Sequence, residues 1–350
     1  MNKKSAHLIL IINPMVVLYL EDLLTTLDNQ CNSTQDFYII EFYTRKLLSD
    51  DKTINIKSKY NGRIHVSSFV YNSSFVKYLA YLYLVIIFIR KFVNNFEEIN
   101  FYIAHPNHIL TNYIFFELSK LSHISVNQIP DGIANYYNVN TDAYESRMFQ
   151  KKILAFALGL KYYRYKGLYL GTDLNVFSKY YYYGISYANV NLLHQQSICS
   201  VALKKTNESA EFALLIGQDV SLDNSIVYFN IVEQIVICLS KRYGKVHYKP
   251  HPSEKLSLEQ MARLTKHSCD VVNFDGIVEE IMYKYKVCVG FFSSSLFNGK
   301  IMHGDGLRVI TIDGSFILSL LPFIRIEELN SLRNLFVSVG VEVLELEEVL

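Results

Sequence analysis

Three short stretches of this 350-residue chain combine a reactive side chain with a rigid or glycine-bearing turn. Pro130-Asp131-Gly132 follows the run Val126–Gln128. A carboxylate beside glycine at a strand end is held on a tight turn, where it can take a proton from a bound hydroxyl. Pro-Asp-Gly is equally a favoured plain turn. Lys249-Pro250-His251-Pro252 ends the run Val246–Lys249. The two prolines restrict the backbone on either side of His251 and present the imidazole in one direction. Such an imidazole can protonate or hydrogen-bond a leaving phosphate near neutral pH, although a histidine in a stiff surface loop would look the same. Gly290-Phe291-Phe292-Ser293-Ser294-Ser295-Leu296 continues the run Val287–Gly290. Hydroxyls and backbone N–H groups at a strand-to-helix turn make a phosphate cradle. A helix cap alone would use one serine, so three leave hydroxyls to explain.

Other reactive residues are less suggestive. His105 and His108, in Ala-His-Pro-Asn-His, form a metal pair only if further ligands converge, and none suggests itself. Asp50-Asp51 lies in a polar stretch (SDDK) and reads as solvated charge in a loop, and no Asp-x-Asp occurs. The five cysteines are odd in number and widely spaced, without Cys-x-x-Cys. That excludes a disulfide framework and a zinc ribbon, and it suits a reducing cytoplasm.

The elements that must position these residues follow from periodicity. Hydrophobic residues make up 50% of the chain and charged ones 19%, which excludes a disordered polymer. Lys+Arg 34 against Asp+Glu 33 leaves a net charge of +1, with no general attraction to nucleic acid. Short apolar runs alternate with helix-period stretches, the pattern of α/β layers around parallel sheets. In the first half the expected strands are Leu8–Ile12, Phe37–Phe42, Ile64–Ser67, Phe101–Ala104 and Val126–Gln128. Expected helices fill Glu21–Asp28, Val76–Phe96 and Asn107–Lys120. The polar, aperiodic stretch Tyr180–Ser209 is the candidate link. The second half begins again with strand Phe212–Ile216 and helix Ser225–Tyr243, then strand Val246–Lys249 and helix Leu258–His267. It continues through Val271–Val272, a helix Ile277–Tyr285, strand Val287–Gly290 and a last strand Val309–Thr311. Two domains of similar size result, 1–190 and 191–350, with the last helix a candidate for crossing back to the first.

The longest apolar run, Tyr78–Ile89, is bounded by Lys77 and Arg90-Lys91. Twelve helical residues span roughly 18 Å, short of a hydrocarbon core of about 30 Å. It is a buried core helix or a helix lying on a membrane surface with its basic ends on anionic headgroups. Lys151–Lys166, which interleaves basic and aromatic residues, is a second peripheral candidate. Pro14, Glu21 and Asp22 interrupt the apolar amino-terminal stretch, which reads as a first strand rather than a signal peptide.

With the motifs in hand, the order Asp131-Gly132, His251-Pro252, Ser294-Ser295 resembles that of bacterial GT-B sialyltransferases. The resemblance is strongest to the lipooligosaccharide, O-antigen and capsular polysialyltransferase-like groups. Those families carry an acidic-acidic-Gly motif, a His-Pro motif and a Ser-Ser or Ser-Thr motif. The interval of 44 residues from His251 to Ser295 fits theirs. The resemblance implies two Rossmann-like domains facing across a cleft, acceptor in the first and a CMP-sugar in the second. It implies Asp131 as general base and His251 as acid or hydrogen-bond donor to the leaving CMP phosphate. Ser294, Ser295 and Pro252 would line that phosphate, and Glu279 or Glu280 would bind the ribose. Gly217 and Gln218 would lie along the nucleotide, and Asn107 and Gly132 near the donor or acceptor sugar. The family's first acidic position is Pro130 here, so only the acid next to glycine remains.

What the resemblance implies is an inverting, metal-independent transfer of sialic acid from CMP-sialic acid, without a cofactor. The acceptor would be a terminal galactose, in α2,3 linkage, of a bacterial surface glycan or its lipid-linked precursor. The enzyme would then be cytoplasmic and peripheral on the inner face of the inner membrane. Two rivals remain at this stage: another CMP-leaving transferase, such as one using CDP-glycerol, and a nonenzymatic two-domain binding protein.

Overall fold

The computed structural model describes residues 5–30, 35–130, 132, 136, 145–187, 190–198, 212–220, 225–274, 277–313 and 326–350. The chain divides into two compact units, Met1–Ser200 and Val201–Leu350.

The first unit is built on seven strands: β1 Ser5–Ile11, β2 Asp36–Tyr43, β3 Ile64–Val70, β4 Glu98–Ile103, β5 Ile124–Gln128, β6 Lys179–Tyr182 and β7 Gln195–Ser197. Their order is β3-β2-β1-β4-β5-β6-β7, and every pairing is parallel. The second unit holds β8 Ala213–Ile216, β9 Val246–Lys249, β10 Cys269–Val271, β11 Val287–Gly290, β12 Val309–Asp313 and β13 Glu342–Glu345. Its order is β10-β9-β8-β11-β12-β13, again all parallel. Both sheets therefore share the doubly wound order, with strand order reversing after the first strand. The central strands are covered on both faces, which is why they read as unbroken apolar runs: ALLI in β8 is buried at every position, and so is VCVG in β11.

The helices of the first unit are α1 Met15–Leu18, α2 Leu20–Gln30, α3 Asp50–Lys59, α4 Phe75–Asn95, α5 Ile109–Phe116 and α6 Glu145–Ala157. Those of the second include α7 Ser225–Tyr243, α8 Leu258–Lys266 and α9 Ser294–His303. Leu82, Val85 and Ile86 of α4, Ile109 and Ile114 of α5, and Ala155 of α6 share one apolar core with Leu8, Ile40, Phe101 and Val126 of the sheet. The three successive crossover helices α4, α5 and α6 thus lie on one face of the first sheet.

Several sequence expectations are corrected here. The SDDK stretch is not a loop: Ser49 caps α3 by accepting the Lys52 N–H at 3.1 Å, and Asp50 and Asp51 sit exposed in its first turn. Negative charge there complements the helix dipole. The stretch expected as a link contributes β6 and β7 to the first sheet, and the division falls after Ser200. The segment expected as helix Ile277–Tyr285 is a 3-10 turn, Val278–Lys284. The second sheet does not end at Val309–Thr311, because helix Ile326–Ser338 returns the chain to β13.

Candidate active site

In a doubly wound sheet the connections leave opposite faces at the reversal point, opening a crevice beyond the strands' carboxyl ends. In the second unit that point lies between β8 and β11. The loops leaving β8, β9 and β11 are drawn tightly together. The Gly217 N–H donates to the Lys249 carbonyl at 2.8 Å. A Cβ on Gly217 would stand 2.8 Å from Glu254 Oε2 and from the Tyr248 hydroxyl, and 2.9 Å from the His251 nitrogen. A Cβ on Gly290 would stand 3.0 Å from the Ile216 carbonyl oxygen. Glycine at 217 is what lets the first loop pass the His-Pro loop.

The His-Pro loop is pinned from behind. The Tyr248 hydroxyl donates to both Glu254 oxygens, at 2.8 and 2.7 Å, and Glu254 Oε2 also accepts the His251 backbone N–H at 3.2 Å. The Tyr228 hydroxyl accepts the Gln218 N–H at 2.8 Å and hydrogen-bonds Tyr248. Burial raises the Glu254 carboxyl above the ordinary range, against the opposing pull of the Tyr248 hydroxyl, the His251 N–H and the Lys249 ammonium. It also pushes both phenols upward, so they remain proton donors.

The imidazole itself is oriented by a hydrogen-bond relay. Ser253 Oγ donates to Asp219 Oδ1 at 2.5 Å and stands 2.7 Å from His251 Nδ1. Nδ1 thus faces Ser253 twice, its Oγ at 2.7 Å and its backbone N–H, which donates to Nδ1, at 3.3 Å, and this leaves Nε2 as the ring's outward nitrogen. His251 is held below its ordinary pKa by burial, with Asp219 raising it and Lys249 lowering it further. Asp219, Ser253 and Lys249 were given no role by the sequence analysis. Only Lys249 stood inside a motif; the carboxylate lies 34 residues before Ser253 and no spacing rule links the two.

On the β11 side, Phe292 is buried at φ +44°, and its N–H is held by Thr311 Oγ1 of β12 at 2.7 Å. This strained turn starts α9. Ser293 is the N-cap, its side chain accepting the Ser295 N–H at 3.3 Å. The cap is therefore satisfied before Ser294 and Ser295, whose half-buried side chains serve no capping purpose. The Ser295 hydroxyl hydrogen-bonds Glu279.

That contact distinguishes the two glutamates in their surroundings. Glu279 is 2% exposed, whereas Glu280 is half-exposed. The turn carrying Glu279 packs against α9 through Gly299, where a Cβ would stand 2.3 Å from Met282 Sδ. His303 Nε2–H holds the Glu279 carbonyl at 2.7 Å. Burial raises the Glu279 carboxyl, while the Ser295 hydroxyl and Lys249 oppose the rise. Glu279 Oε1 and Gln128 Oε1 are the two buried side-chain atoms without a hydrogen-bond partner among the described residues. Burying such an acceptor unpaired costs about 1–3 kcal/mol, a cost that a bound hydroxyl would remove.

The remaining candidates belong to the first unit. Asp131 lies outside the described residues. Its neighbours are fixed: the Tyr19 hydroxyl donates to the Pro130 carbonyl, and Gly132 is buried at φ +89°, a conformation that favours glycine. Asn107, 3% exposed, is an internal anchor, with Oδ1 accepting from Lys151 Nζ at 2.9 Å and from the Tyr162 hydroxyl at 3.0 Å. Burial, Lys151 and, for His105, the neighbouring His108 push both imidazoles down to about 3, so they stay neutral. No group of three metal-ligating side chains occurs among the described residues.

Residues 34–307 match the model of a family described as alpha-2,8-polysialyltransferase. No curated protein sequence matches the chain significantly. Among solved structures, the GT-B domain of a sialyltransferase from Photobacterium damselae superposes at TM-score 0.54 and 12% identity, covering 97% of this chain and 99% of that one. A second sialyltransferase structure, from Photobacterium damsela, gives TM-score 0.50 at 11% identity over 98% of this chain and 81% of that one. A UDP-GlcNAc 2-epimerase from Neisseria meningitidis gives 0.51 at 8% identity, over 88% and 82%. The fold is GT-B.

Two measurements test this geometry. Asp219→Asn should move the His251 titration, followed by ring-proton NMR, to lower pH, because the carboxylate counters burial and Lys249; an unmoved titration would mean the relay does not couple. Gly217→Ala should cost about 1–3 kcal/mol in urea unfolding by overpacking the loop junction, and an unchanged midpoint would show the loops do not pack this tightly.

Proposed function

The chain belongs to the alpha-2,8-polysialyltransferase family and is a GT-B sialyltransferase, and from that premise we propose that its donor is CMP-sialic acid, used with inversion and without a metal. The observation that carries the donor assignment is the convergence of His251, Lys249, Ser295 and Glu279 at the reversal point of the second sheet.

In this reading the donor phosphate sits at the amino end of α9, between the Ser294 and Ser295 hydroxyls, where the helix dipole favours an anion. The Lys249 ammonium adds charge. Glu279 accepts a ribose hydroxyl through the oxygen that otherwise lacks a partner. As the glycosidic bond breaks, negative charge collects on the departing CMP while the sugar takes on oxocarbenium character. His251, protonated at Nε2, donates to the phosphate oxygen that leaves. The Asp219 carboxylate, tied to the loop by Ser253, favours the imidazolium through its charge. Asp131 accepts the acceptor hydroxyl's proton as that oxygen attacks the anomeric carbon from the opposite face. A leaving group with one phosphate is served by fixed dipoles and two cationic side chains, so no metal step is required.

The acceptor is a glycan, and its linkage separates two readings. The motif resemblance points to a terminal galactose and an α2,3 bond, whereas the family description favours α2,8 addition to a sialic acid already in place. Cys238, Cys269 and Cys288 are free thiols, which suits a cytoplasmic enzyme working on a lipid-linked precursor.

The test is CMP release from CMP-sialic acid with parallel galactose-ended and sialic-acid-ended acceptors, products read by mass and linkage. Turnover should fall ~10²–10⁴-fold in Asp131→Ala and in His251→Ala, persist in EDTA, and be absent with CDP-glycerol. Turnover with CDP-glycerol would replace the donor; undiminished activity in both variants would remove the acid–base assignment.

A further inference from the structure

We propose that the helical face of the first unit formed by α4 and α6 is a docking surface for a membrane bearing anionic headgroups. Exposed apolar side chains recur at helical spacing on both helices. On α6 they are Phe149, Ile153 and Phe156, which are 56%, 58% and 83% exposed and stand at i, i+4 and i+7. On α4 they are Val76 and Tyr83, 76% and 53% exposed, with Leu84 beside them at 48%. The opposite side of α4 is buried through Leu82, Val85, Ile86, Ile89, Phe92 and Val93. The exposed stripe is therefore surplus to what the core needs.

Both stripes look out from the same layer. The two helices share one apolar core on one face of the first sheet, with α5 between them in chain order. Arg90 of α4 lies 5.9 Å from the Tyr113 ring of α5, and Tyr163, whose ring Lys161 approaches to 4.5 Å, stacks at 5.2 Å on Phe116 of α5.

The charge pattern selects the partner. Neither 75–96 nor 146–166 contains an aspartate or glutamate, and the one acid of α6 is its first residue, Glu145. Lys77, Arg90, Lys91, Lys152, Lys161 and Arg164 are all exposed around the stripes. Glu117, between them, is engaged by the Tyr163 hydroxyl and by Lys120 at 3.1 Å. The acids flanking α4 are Glu97 and Glu98, at the far end where β4 begins. Aromatic and aliphatic side chains rimmed by cations are what an amphipathic face needs to settle among acyl chains beneath anionic lipids. No helix among the described residues is long and apolar enough to cross a membrane, so contact here is with the surface.

The test is co-sedimentation of the full chain with vesicles of phosphatidylcholine alone and of equal parts phosphatidylcholine and phosphatidylglycerol, which needs no donor and does not depend on the transferase reading. Binding should occur to the anionic vesicles, weaken with added salt, and fall at least about tenfold in Ile153→Glu/Phe156→Glu and in Lys161→Glu/Arg164→Glu, with unchanged circular dichroism as the folding control. The inference is overturned if neutral vesicles bind equally well, if neither double variant weakens binding, or if light scattering shows a dimer that Ile153→Glu/Phe156→Glu dissociates, which would make the face a contact between copies of this chain.

Discussion

The site depends on one topological constraint: parallel strands all end on the same edge of their sheet. Each strand must hand the chain to a loop there, and at the reversal between β8 and β11 no crossover covers the gap. The backbone groups of those loops cannot all be satisfied by the sheet ladder. The second unit answers with side chains: Glu254 takes the His251 N–H, Thr311 takes the Phe292 N–H, and the Tyr228 hydroxyl takes the Gln218 N–H. Each of these acceptors sits on an element other than the loop it steadies, or at that loop's far end. Chemistry and fold therefore share the same hydrogen bonds, and the loops carrying Gly217, His251 and Ser294 cannot be moved independently.

Within that frame the groups are tuned against one another. Lys249 lowers His251, Glu254 and Glu279 together, so one ammonium favours the carboxylates and opposes the imidazolium. Asp219 opposes it at His251 alone. The outcome is a mostly neutral imidazole that a phosphate anion, arriving beside it, would push toward protonation. A permanently charged group would gain less from such an anion, because catalysis rewards what strengthens only as charge develops.

Much of the fold was legible because buried parallel strands are short apolar runs followed abruptly by glycine, proline or a polar residue; VCVG before Phe291 and VHYK before Pro250 are of this kind. Elements without an apolar signature were not. Only Ile56 of α3 is buried, so its ten residues carry no stripe. The edge strands β7 (QQS) and β13 (EVLE) have no fully buried position. At the site, His251 and the serines announced themselves through proline and repetition. Which of Glu279 and Glu280 is buried was invisible, since a 3-10 turn has no dependable face and the burial rests on Gly299, Met282 and His303, which lie in a different helix or a turn later. Asp219 was hidden for a related reason: an exposed carboxylate after a strand gives no hint of a serine 34 residues on.

The β11 side also keeps two local costs that a less specialised crevice would have shed. Phe292 holds a left-handed backbone that a bulky residue rarely adopts, and Glu279 Oε1 is buried without a donor. Both lie on the β11 side, one at the turn that aims α9 and the other at the carboxyl that Ser295 touches. A glycine at 292 would relax the turn, and an alanine at 279 would abolish the orphaned oxygen. That the chain carries neither is physically intelligible if a ligand supplies the missing hydroxyl and anion. Groups that would make binding specific then cost stability on their own, and Thr311, Gly299 and His303 hold them in place.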